Sequence, residues 1–125
     1  MTRWERRLLS AIGVPVYELI RWRVALEQHQ QIVSFDGRIT VDNSNKMRER
    51  LRAALKVMPK ALTVDLSRVT SIDMSGLATL VEATRMARGQ GTRLVLAGIQ
   101  GQPAYLLEVA HLDQLFDIAP EQQSA

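Results

Sequence analysis

Along this chain the spacing of apolar residues alternates between every second position and every third or fourth. In RWRVALEQ, Trp22, Val24 and Leu26 occupy alternate positions, which predicts a strand. QIVSFDG resumes the alternation after a polar turn at His29 and Gln30. GRIT extends or restarts that second strand, with Gly37 as a bulge or close-approach point. The period then lengthens. In VDNSNKMRERLRAALKVM, Met47, Leu51, Ala54, Leu55 and Met58 make one helical stripe, which Asn43 or Ser44 can cap and Pro59 ends. ALTVDLS returns to alternation through Leu62, Val64 and Leu66 and reads as a central strand. After RVTSIDMSG, the residues Leu77, Leu80, Val81, Thr84 and Ala87 fall on one helical face, closed by Gly89 and Gly91. TRLVLAGI predicts a strand, GQPAYLLEVAHL a helix with Pro103 in its first turn, and QLFDI a short last strand.

Strands that alternate with helices in this way predict an α/β fold. Its sheet is small, mixed and largely parallel, and helices cover it through right-handed crossovers. The expected division is an N-terminal amphipathic extension over residues 1–20, one domain over 21–119, and a disordered polar tail over 120–125. In the extension, Trp4, Leu8, Leu9 and Ile12 recur at helical spacing, with Arg3, Arg6 and Arg7 mostly elsewhere on the wheel. Such a stripe left bare would be an unusual apolar patch, so docking on the chain's own domain or homodimer packing through residues 1–20 is expected. Glu5 and Glu18 interrupt the early basic residues and no continuous apolar run follows, so the segment does not read as a signal peptide.

Composition narrows the chemistry. With no cysteine among 125 residues, disulfides, thiolate catalysis and zinc–thiolate sites are excluded. The formal charge of +3 is unevenly spread: residues 1–60 hold twelve Lys/Arg against six Asp/Glu, and residues 61–125 hold four against seven. Aromatic residues are few and not interleaved with the basic ones, so no stacking platform for nucleic acid is expected. Phosphate-binding glycine loops, a nucleophile elbow around Ser75 and histidine pairs at metal-ligand spacing are all missing. No cofactor, no metal and no enzymatic activity are therefore expected. His111 reads as a helix-end residue near terminal carbonyls.

What remains is Asp73-Met74-Ser75-Gly76, at a strand-to-helix junction. Unpaired N–H groups at a helix start favour an oxygen ligand, so Asp73 or Ser75 can cap the helix. A phosphate on a hydroxyl there would be favoured by the helix dipole yet repelled by the neighbouring carboxylate.

The motifs SFDGRIT, VDNSNKMRERLRAAL, VDLSRVTSIDMSGLATL and GTRLVLAGIQGQPAYLLEVAHLDQLFDI occur in an order and spacing that resemble the STAS family, the sulfate transporter and anti-sigma factor antagonist fold. The resemblance covers about residues 22–119 and is greatest to the bacterial anti-sigma factor antagonists. It implies a non-enzymatic, cytoplasmic regulator of transcription that binds an anti-sigma factor or kinase-fold protein. The implied contact residues are Asp73, Met74, Ser75 and Gly76, with Asn43 and Ser44 nearby. Other STAS domains imply an alternative, a subunit or regulator of a membrane transport complex (an anion permease or a lipid-transport ATP-binding-cassette system), peripheral at the inner face of the membrane.

In the antagonists a Ser or Thr directly after the signature acid is phosphorylated, and here Met74 stands at that place. Methionine carries no hydroxyl. Three expectations follow: Ser75 serves as a displaced acceptor; the chain binds constitutively with Met74 as an apolar contact; or Met74 tucks inward while Ser75 only caps. The second is preferred, because a flexible thioether suits an adaptable contact surface.

Overall fold

The computed structural model describes residues 30–120, together with Arg3, Arg7, Ala11 and Gly13. The expected strand at RWRVALEQ, the apolar stripe at Trp4, Leu8, Leu9 and Ile12, and the tail after Pro120 lie outside the described residues. From residue 30 onward the elements alternate: β1 (Gln30–Ile39), α1 (Ser44–Lys56), β2 (Ala61–Ile72), α2 (Met74–Gly89), β3 (Arg93–Ala97), α3 (Gly101–Val109) and β4 (Asp117–Ile118). The sheet order is β1-β2-β3-β4, and every pairing among the described strands is parallel. Each crossover passes through a helix or the turn that follows one, as the α/β pattern requires.

The core lies between one face of this sheet and the helices. Leu62, Val64 and Leu66 of β2 are fully buried, and they join Met47, Leu51 and Leu55 of α1 and Leu77, Leu80, Ala83 and Ala87 of α2 in one apolar cluster. Phe116 and Leu107 close it near the C-terminus. Full burial of side chains this size contributes roughly 1.5–3 kcal/mol each, so this cluster supplies the main stabilisation.

β2 is longer than its hydrophobic alternation predicts, because it runs through Ile72 where the alternation stops at Ser67. The pairing of β1 with β2 shifts register twice, between Ser34 and Asp36 and between Gly37 and Arg38, and each shift leaves an extra residue on β2. The buried positions after Leu66 are therefore Val69 and Ile72, three apart rather than two. Bulges of this kind break the two-residue period while the ladder continues. At the first bulge Gly98 passes so close to Ser67 that a Cβ would lie 2.7 Å from its Cβ, and Gly98 has a φ of +70°. Both features require glycine.

The start of α1 differs from the capping expectation. Asn43 occupies the N-cap position but makes no side-chain bond to the helix. Its Oδ1 accepts from Thr40 N at 2.8 Å and its Nδ2 donates to Arg38 O at 2.7 Å, so its amide braces the β1–α1 loop instead. Ser44 is buried at 6% exposure.

Candidate functional site

The turn at Asp73–Gly76 is assembled from three directions. Ile72 ends β2 in the core, and α2 begins at Met74 with Asp73 as its N-cap. The Asp73 Oδ1 accepts from Ser75 N at 2.9 Å, from Gly76 N at 3.1 Å and from the Ser75 hydroxyl, and Oδ2 accepts from Val41 N at 3.0 Å. Asp73 N donates to Ile39 O at 3.0 Å. The carboxylate thus joins the β1–α1 loop to the start of α2. These donors hold the Asp73 carboxyl below the usual range; the Ser75 hydroxyl is the largest cause, followed by the Gly76 N–H.

From the third side comes Gln102, in the first turn of α3. Its Oε1 accepts from Ile72 N at 2.8 Å and its Nε2 donates to Ile72 O at 2.9 Å. The primary amide thereby satisfies a backbone donor and acceptor at the end of β2, as a neighbouring strand would. Sequence reasoning missed Gln102 and the Val41 N–H. Neither carries a local signal, since the partners are 30 and 32 residues away.

Gly76 is required by packing. A Cβ on it would lie 2.6 Å from Ile72 Cγ1 and 2.7 Å from Ile39 Cγ2. Both neighbours are branched side chains anchored in strands, with little freedom to withdraw. The first turn of α2 therefore seats directly on the ends of β1 and β2.

Of the expected contact residues, the structure brings Asp73, Met74, Ser75, Gly76 and Asn43 to the same end of the sheet. Ser44 is there too, but its burial removes its side chain from the surface. Ser75 is half-buried, with its hydroxyl donated to Asp73. Met74 is 60% exposed and does not tuck into the core. It opens a groove of about 460 Å³ along the outer side of α2, lined by Leu77, Ala78, Val81, Met86 and Leu112 and edged by Glu82 and Arg85. Val41, 69% exposed, stands on the other loop whose N–H Asp73 holds.

Among the described residues there is no cluster of His, Asp or Glu placed to hold a metal, and no helix long and apolar enough to cross a membrane. His111 has a φ of 58°, and it is its backbone N–H that donates to Glu108 O at the end of α3.

The described sheet and helices have the fold of the STAS class of α/β domains. The family model described as "Mlab, STAS domain" matches residues 22–118, and the chain belongs to this family. Solved structures with the same fold include an anti-sigma factor antagonist from Mycobacterium paratuberculosis, 21% identical over 72% of this chain and 76% of that one, with a TM-score of 0.66. RsbS from Moorella thermoacetica is 26% identical over 74% of this chain and 80% of its own, with a TM-score of 0.60. The STAS domain of a SulP transporter from Vibrio cholerae is 17% identical over 74% of each chain, with a TM-score of 0.59.

Proposed function

We propose that this chain is a non-enzymatic regulatory module. It binds an anti-sigma factor or related kinase-fold protein through the Asp73–Gly76 turn, and it does so without a phosphorylation switch. One observation carries the reading: Met74 is exposed at the tip of the turn while the Ser75 hydroxyl is already donated to Asp73. A phosphate on Ser75 would have to displace that bond and stand against the carboxylate. Met74 instead offers a flexible apolar contact at the mouth of the groove. Asn43 acts from beneath, by bracing the loop.

The test is an affinity pull-down from the native cell with wild type, Met74→Arg and Met74→Ser. The expected outcome is recovery of an anti-sigma or kinase-fold protein by wild type, its loss with Met74→Arg, and phosphorylation of Met74→Ser alone when kinase and ATP are supplied. Stoichiometric phosphate on Ser75 of the wild type, or undiminished binding by Met74→Arg, would overturn the reading.

A second reading is favoured by the family description and by the likeness to a transporter's STAS domain. In it the chain is a peripheral subunit of a membrane transport complex on the cytoplasmic side. Deleting residues 1–20 should then reduce recovery in the membrane fraction, and an unchanged distribution would count against it.

A further inference from the structure

The groove beside Met74 has two unlike components. Its floor is apolar, from Met74, Leu77, Val81, Met86 and Leu112. On the side toward α1 its edge is cationic. There Glu82 accepts from both Arg48 Nε at 2.8 Å and Arg52 Nη2 at 2.7 Å, so one carboxylate is shared by two guanidinium groups. Arg85, one turn further along α2, is exposed and has no ion-pair partner among the described residues. Arg48 and Arg52 lie behind Glu82 in the seam with α1 and more than neutralise it, and Arg85 adds a positive charge on the groove's lining, so this margin is net positive.

That surplus discriminates among occupants. A second copy of the chain meeting groove to groove would bring the same arginines together. The chain's own residues 1–20 carry Arg3, Arg6 and Arg7 against Glu5 and Glu18, so they too add positive charge to a positive edge. An apolar helix with acidic residues along one flank satisfies both components, because its ridge fills the floor and its carboxylates meet Arg85 and the shared pair. We propose that the groove receives an amphipathic helix of a partner protein, with Asp or Glu on the flank that faces α1. The inference rests on the binding role of the Met74 turn and names the chemistry that role requires.

The probe is a displayed library of helical peptides, selected against the full chain and mapped onto it by amide chemical shifts. Enriched sequences should carry apolar residues at i, i+3 or i+4 and i+7 with a flanking acidic row, and should shift Met74, Val81, Met86 and Leu112. Arg85→Glu should weaken the selected peptides about fivefold or more, and added salt should weaken the wild-type complex in parallel. Enrichment without acidic bias, shifts confined to another surface, or an Arg85→Glu variant that binds equally well would overturn the proposal. Loss of the native partner by Met74→Arg, together with selected peptides that lack the acidic row, would leave the turn as a binding site and remove only this chemistry. Undiminished partner binding by Met74→Arg would remove both.

Discussion

At Asp73 a single carboxylate receives four donors, one from the β1–α1 loop and three from the first turn of α2. Its lowered pKa ties that arrangement to pH. The folded form holds the ionised carboxylate, so the unfolded chain takes up a proton first as the solution is acidified. Stabilisation from this group is complete above the ordinary aspartate pKa of about 3.9 and is lost as pH falls through the lower folded value. Asp73→Asn should therefore flatten the acid limb of an unfolding curve below about pH 4, besides lowering stability at neutral pH, and denaturation followed at a series of pH values checks it. Three residues on, Gly76→Ala adds one methyl where Ile72 and Ile39 leave no room. Overpacking of this kind costs roughly 1–3 kcal/mol, so the denaturant midpoint should drop with little change in slope.

Among the elements, β2 shows where sequence reading succeeds and where it stops. The two-residue period of Leu62, Val64 and Leu66 marked the strand correctly, but two bulges moved the next buried positions to Val69 and Ile72. A period-based reading ends the strand at the first bulge, because the extra residue looks like a turn. α1 and α2 were legible for the opposite reason: most of their apolar stripe residues reach the core, although Met58 falls beyond the end of α1 with a φ of 54° and is exposed, and Val81 is only half-buried. Gln102 holds the far end of β2 through both polar atoms of its amide, so Gln102→Glu keeps the acceptor and loses the donor toward Ile72 O. Faster amide exchange at Ile72 and Asp73, ahead of any loss of global protection, is the expected result. Between α1 and α2, the Arg48–Glu82–Arg52 bridge is half-exposed. Glu82→Gln should lower stability by less than about 1 kcal/mol and lose most of even that effect at high salt, as thermal melts at two ionic strengths would show.

At the scale of the whole molecule, the order of the elements from residue 30 to 118, the largely parallel character of the sheet and the family were readable because hydrophobic period and motif spacing are local properties. The turn itself was identified from Asp73, Ser75 and Gly76. What fixes it in space was not, since Val41 and Gln102 reach it from elements some thirty residues away on either side. Asn43 shows a different, local limit: its residue type suits a cap, yet the backbone of Arg38 and Thr40 in the β1–α1 loop claims its amide. The link from Asp73 to Val41 also bears on reagents. A synthetic peptide spanning Ser71–Leu80 contains the whole signature but lacks Ile39, Val41 and Gln102, so its chain would sample many shapes in water. Such a fragment should compete poorly for the proposed partner even at large excess, and antibodies raised against it should recognise the denatured protein better than the native one. The contact surface proposed above is one that exists only after the chain has folded.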